Sequence, residues 1–265
     1  MIFKSLQKHE NYKELIWMLA KMDFKLRYQG SILGYFWAIL SPLLLFLILN
    51  FVFTSIFAQA AGRGGPNHYS LQLLVGLMMF GFFSEGTNAA MNSLNAKSQL
   101  VTKIYIPRWT IIIASTVNAF MIYCANLIVI MAFFIWYHFV PSLFSVVLFL
   151  FFSLVMYVII VSFGLIAAPL LLRFKDVGMI WSALLSMLFY ATPIFYPLTI
   201  LPEWSHKWIL LNPLAFIIHF TKESMFEGHY AEPIQYMVFL IIVAIGFLFS
   251  IWSYKKLEPK IAEYL

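Results

Sequence analysis

The sequence predicts an all-α polytopic membrane protein with six transmembrane helices, an N-terminal amphipathic interface helix and re-entrant outer half-helices late in the chain. Three observations predict it. Hydrophobic residues make up 63% of the 265 positions and charged residues 11%, against about 45–50% and about 25% in soluble domains. Apolar runs near the length of roughly 20 residues that a helix needs to cross a bilayer recur six times. When those runs are taken as crossings with the N-terminus inside, only Arg63, Lys207 and Lys222 of the 17 basic residues fall outside. That bias is the positive-inside pattern, and it accounts for the net charge of +6 without any need for nucleic acid. Residues 1–30 form the cytoplasmic N-terminus and interface helix, 31–253 the membrane domain, and 254–265 a basic cytoplasmic tail.

In chain order, residues 11–28 read as the interface helix. Leu15, Met18, Leu19, Met22 and Leu26 fall on one face, while Lys13, Lys21 and Lys25 lie elsewhere on it. No secretory signal is expected, because Lys4, Lys8, Glu10, Lys13 and Glu14 precede any apolar stretch. A break at residues 30–34 leads to a first span over 35–57, with Pro42 inside it, and a turn-rich loop over 61–67. The second span covers 71–93, the third 109–137, the fourth 143–172, the fifth 179–196 and the sixth 234–253. Between the fifth and sixth, the apolar stretch 209–220 is interrupted by Asn212-Pro213. Each half is too short to cross, so two re-entrant or interfacial half-helices are expected.

Several chemistries find no footing. There is no GxxxxGK[ST] segment, and Gly62-Arg63-Gly64-Gly65-Pro66 lacks the Lys-Ser/Thr of a phosphate loop. The chain is therefore expected to bind no ATP itself and to have no catalytic residues. No HExxH or GxSxG occurs, the six histidines are scattered, and the lone Cys124 sits in an apolar run. Neither a metal centre nor a disulfide framework is expected.

The residues that invite a functional reading are few. Residues 96–108, AKSQLVTKIYIPR, form a polar, basic island between apolar runs, long enough for a short helix and ended by Pro107. This island reads as a cytoplasmic coupling element that takes a push from a partner ATPase through Lys97, Gln99, Leu100, Lys103, Tyr105 and Arg108. The charged turn at Arg173 and Asp176 reads as a second, smaller contact. Glu85 lies well inside an apolar run, where an ionisable group faces protein or water. It is read either as functional or as a hydrogen-bonded structural carboxyl. Tyr35, Phe36, Trp37 and Phe83, with Glu85, are the candidates for a channel surface. Lys21, Lys25 and Arg27 could meet an anionic lipid head group at a cytoplasmic entrance, or could simply follow the positive-inside bias. Trp204, Asn212 and Pro213 mark an outer gate.

The order of these parts resembles the membrane subunit of ABC-2 type exporters, in the branch that moves O-antigen, capsule or teichoic acid. The resemblance rests on Arg27-Tyr28 with Ser31, Leu33, Gly34 and Trp37 before Pro42, and on KIYIPR at 103–108. Further along it rests on Arg173 to Asp176, Thr192-Pro193-Ile194, Asn212-Pro213, and Leu257-Glu258 ahead of Ile261. Ile106 stands where such exporters often carry Phe, and Lys175 where Arg is common. The resemblance implies a homodimer of six-span subunits in the bacterial inner membrane with both termini cytoplasmic. It further implies two copies of a separate ABC ATPase holding ATP and Mg, and an undecaprenyl-diphosphate-linked glycan as substrate, O-antigen foremost, whose sugar rings would stack on Tyr35, Phe36, Trp37 and Phe83. An ABC-2 exporter of small molecules, and an ion-coupled transporter using Glu85, are the alternatives.

Overall fold

A computed structural model describes residues 12–57, 65–103 and 106–263. Tyr105 and most of the loop at 61–67 lie outside the described residues. Among the described residues, ten α-helices are joined by turns and short 3-10 or π segments, and there is no strand.

The first helix, α1 (Tyr12–Tyr28), is the expected interface helix. A turn follows in which Gly30 and Gly34 both have positive φ, 82° and 47°, a backbone region that costs other L-residues about 1–2 kcal/mol. A 3-10 turn, Gly34–Phe36, then feeds α2 (Trp37–Phe57). After α2 come α3 (Gly65–Ala96) and the six-residue α4 (Ser98–Lys103). Pro107 has ψ 122° and no N–H to continue a helix, so the chain restarts as α5 (Arg108–Trp136). Ser142 starts α6 (Leu143–Arg173) by accepting from the Ser145 N–H at 3.1 Å.

Among the described residues, five helices are long and apolar enough to cross a membrane: α2, α3, α5, α6 and α10 (Pro233–Leu257). The expected fifth span differs. It is α7 (Asp176–Ala191), 16 residues long, or about 24 Å at the usual rise, against a hydrocarbon thickness of about 30 Å. Pro193 is the reason: the residue before a proline is driven to extended backbone, and Thr192 has ψ 137°. The segment at 209–220 breaks at Asn212-Pro213, giving α8 (Glu203–Leu210) and α9 (Pro213–Lys222). A π turn, Glu223–Glu227, ends α9.

The hub is α3. Every residue from Tyr69 to Phe80 on it is buried, and it packs chiefly against α6 and α5, with α2 alongside. Close approach of α3 and α6 depends on small residues: a Cβ on Gly164 would stand 2.6 Å from the Ala90 methyl, and one on Gly86 2.8 Å from Ile160. Leucine-sized side chains at those positions would push the helices apart. By contrast α2 and α10 keep large apolar side chains uncovered along their length, among them Phe51, Ile48, Ile241 and Ile245. One end of the bundle collects α4, the start of α5, the end of α10 and α1. Leu19, Leu94, Ile111, Ala168 and Tyr254 form a shared apolar cluster there. The opposite end collects α8, α9 and the break after α7.

Candidate functional site

The α4 end is held together by charge. Arg27, in the last turn of α1, meets Glu85 of α3 in a two-pronged pair, with Nη2 to Oε2 at 3.0 Å and Nη1 on Oε1. The two side chains keep 40% and 33% of their surface exposed. Glu85 lies eleven residues before Ala96, about 16 Å along the helix. Lys97, in the turn between α3 and α4, reaches back to Asp23 of α1 and to Ser115 Oγ of α5 at 3.4 Å. Arg108 donates to the Glu258 carbonyl at 2.8 Å, and Tyr254 Oη donates to the Glu258 carboxylate at 3.3 Å. Tyr12 packs edge-on against Trp109 at 5.5 Å. Thus α1, the approach to α4 and the start of α5 are joined by side chains at both ends of α1.

Of the expected coupling residues, Gln99 is exposed and Leu100 is half-buried against the apolar cluster at this end. The Lys103 backbone closes α4, while its side chain and Tyr105 lie outside the described residues. Lys97 turns inward rather than outward, with 10% of its side chain exposed. Arg173 lies over the Phe174 ring at 4.8 Å, and Asp176 is exposed in the same turn. Of the expected head-group residues, Lys25 is exposed, Lys21 sits over the Trp17 ring at 5.1 Å, and Arg27 is engaged by Glu85. Sequence reasoning treated Arg27 and Glu85 separately and overlooked Asp23. Charged residues of opposite sign beside an apolar run were the available signal, but the pairing spans 58 and 74 positions.

The expected channel residues divide. Tyr35, Phe36 and Trp37 are all exposed at the start of α2, and Tyr35 stacks on Phe24 with ring centres 5.0 Å apart. Phe83 is 6% exposed and stands edge-on to Trp181 at 6.2 Å.

The opposite end is held by buried hydrogen bonds. Lys222, at the end of α9, is 6% exposed; its Nζ donates to the carbonyls of Pro193 at 2.6 Å and Ile194 at 3.2 Å. Burial pulls the ammonium down to about 8, with Glu223 pulling the other way. Tyr69 Oη of α3 donates to the Phe195 carbonyl at 2.6 Å, and Gly76 lets the Ile194 carbonyl approach α3. The chain after α7 is therefore pinned from both α3 and α9. His219 is pulled down to about 4 by burial, then by Lys222 and His206 nearby. Glu227 of the π turn accepts from Gln72 at 3.3 Å and lies 3.3 Å from His68. Asn212 caps α9 by accepting the Leu214 N–H at 3.0 Å, with Pro213 in the first turn. Trp204 is 73% exposed on α8. Lys222 had been counted only as an outside charge; a lysine closing the apolar run of α9 was the signal.

The family model described as ABC-2 type transporter matches residues 14–226, from within α1 to within the π turn. The chain belongs to the ABC-2 type transporter family. Two relatives named O-antigen export system permease protein RfbA, from Klebsiella pneumoniae and Myxococcus xanthus, are 28% and 26% identical to it over 256 and 255 residues. The alignments cover 95% and 93% of this chain and 95% and 94% of those proteins. The polysialic acid transport protein KpsM of Escherichia coli is 25% identical over 253 residues, 94% of this chain and 95% of its own. In this ABC-2 chain the family match therefore takes in both the charge-tied end and the break after α7.

Proposed function

We propose that this chain is the membrane permease subunit of an ABC exporter that carries a lipid-linked polysaccharide, O-antigen foremost, across the bacterial inner membrane. The observation that carries the reading is end-to-end similarity to permeases named for O-antigen export and polysialic acid transport. A chain with no phosphate loop needs ATP hydrolysis elsewhere, so ATP and Mg belong to two copies of a separate ATPase subunit. Two copies of this chain form the conduit. Only Leu185 of α7 is buried in the single subunit, which leaves that short helix a face for a second copy. Both termini and α4 lie on the cytoplasmic side.

The ties described above suggest how work is passed on. A push on α4 moves Lys97, and Lys97 draws α1 through Asp23. Arg27 then carries that movement to Glu85, well inside α3. Arg173 and Asp176 supply a second cytoplasmic contact. Lys21 and Lys25 lie on α1 where a diphosphate head group of the undecaprenyl type would approach, and Tyr35, Phe36 and Trp37 give rings for the following sugars. Trp204, Asn212 and Pro213 belong to the narrow outer exit, shaped by α8 and α9. Pairing with Arg27 supports reading Glu85 as a hydrogen-bonded carboxylate rather than a proton relay.

The test is deletion of the gene in the source cell, with surface glycan compared with lipid-linked glycan inside. Loss from the surface with accumulation inside is expected. Normal glycan on both sides would overturn polysaccharide export and favour the small-molecule exporter.

A further inference from the structure

A cavity of about 470 Å³ opens between α8, α9 and α10, at the end of the bundle away from α4. Its rim is polar: His206 and Lys207 come from α8, and Gln235 from the first turn of α10. Its interior is apolar, with Phe216 and Phe239, stacked at 4.5 Å, forming the wall and Val238 and Ile242 continuing it along α10. Gln235 to Ile242 is seven positions, about 10 Å of helix, so polarity falls away with depth as it does along an amphiphile.

Two further features say where this groove sits. Trp204 and Trp208, flanking Lys207 on α8, are 73% and 71% exposed; indoles in such positions sit at the head-group level of a bilayer. The α10 surface beyond the groove, with Met237, Ile241 and Ile245, is uncovered and apolar, as a lipid-facing helix is. His206 Nε2 donates to the Leu201 carbonyl at 2.9 Å, and Gln235 Oε1 accepts from the Glu232 N–H at 3.2 Å, so both rim side chains are oriented by backbone. Lys207 is an exposed cation at the mouth of an apolar slot.

We propose that this groove is a binding site for one anionic phospholipid of the leaflet away from α4, with its phosphate at Lys207 and one acyl chain along Val238 and Ile242. The slot is of a size for one acyl chain, with the head group at the polar rim and the second chain outside, and its polarity gradient and charge match such a lipid. Naming this the outer leaflet rests on the orientation proposed above, whereas the site itself does not depend on what is exported.

Native mass spectrometry tests it on the full-length chain, purified from vesicles of equimolar phosphatidylglycerol and phosphatidylcholine. One retained phosphatidylglycerol per chain is expected, favoured about fivefold over phosphatidylcholine. Lys207→Gln should remove that preference. Val238→Trp should fill the slot and abolish retention, and Ile242→Trp serves the same purpose if the first variant is poorly produced. Equal retention in wild type and both groove-filling variants would overturn the site. An unchanged lipid ratio in Lys207→Gln would overturn the head-group assignment. Efficient cross-linking between copies through Val238→Cys, in a Cys124→Ser background, would also overturn the proposal, because the occupant would then be a second copy.

Discussion

The two ends of this bundle are held by opposite means. At the α4 end, α1 is fastened by two ion pairs, Lys97–Asp23, which is largely covered, and Arg27–Glu85, which keeps substantial exposure. At the other end, Lys222 and Tyr69 bind backbone carbonyls of the chain after α7 out of contact with solvent. Exposed ion pairs contribute about 0–1 kcal/mol each and exchange partners easily. Breaking a buried hydrogen bond strands its partner and costs about 1–3 kcal/mol. The difference suits an end that answers a partner protein and an end that keeps its shape.

The largest expected break in that contrast is Lys222→Met. It leaves the Pro193 and Ile194 carbonyls without their donor and should lower stability by about 3 kcal/mol. A fall in thermal midpoint with faster proteolysis between α7 and α10 is the reading; an unchanged midpoint would mean that the lysine contributes nothing at that end. Next comes Gly164→Val, which forces a side chain into the Ala90 methyl and should cost about 2 kcal/mol. Since Gly164 lies at the α4 half, a loss of that size, measured by thermal unfolding in detergent, would show that packing rather than charge supplies most of the strength there.

Acidification should loosen the end that holds α9. His219 is held at about 4 by burial and by Lys222 and His206, below its ordinary value of about 6.5. The unfolded chain therefore takes up a proton that the folded chain does not. Stability from this group is present above about pH 6.5 and is lost as pH falls toward 4, on the order of 1–2 kcal/mol. The thermal midpoint in detergent should fall over that range, and His219→Phe should flatten the fall. The smallest effect belongs to Arg27–Glu85. A double-mutant cycle with Arg27→Gln and Glu85→Gln should give a coupling of about 1 kcal/mol or less in stability, yet each single variant should uncouple ATPase activity from export. Export at the wild-type rate in both would remove the pair from the transmission path.

Much of this architecture could be read from the sequence because it follows from local rules. The apolar runs gave the helices, the spacing of Leu15, Leu19, Met22 and Leu26 gave α1, and Pro107 and Asn212-Pro213 gave the breaks. The length of α7 was misjudged because the run from 179 to 196 stays apolar through Pro193, where the helix has already stopped. What the sequence could not supply was partnership. Lys97 reads as an outward charge until Asp23 is placed beside it, and Lys222 reads as a loop residue until the chain after α7 folds over it. Phe83 is the instructive case among the aromatics. Rings in apolar helices look alike in one dimension, and this one is enclosed. Phe83→Ala would cost about 3–5 kcal/mol in packing, so a loss of export there would say nothing about sugar stacking, whereas the exposed Trp37 remains a clean probe.

The turn between α1 and α2 has a mechanical meaning. Its backbone is held by single hydrogen bonds, Gly34 N–H to Ser31 at 3.2 Å and Phe36 N–H to Leu33 at 2.9 Å, between two glycines of positive φ. Such a joint transmits position and very little torque. When α1 is dragged by its ties to α3 and α5, the first spanning helix can swivel at Gly30 and Gly34 instead of bending along its length. Under the coupling proposed for this chain, a pull on α1 would thus reach α2 as a tilt, pivoting on two residues that have no side chains to catch.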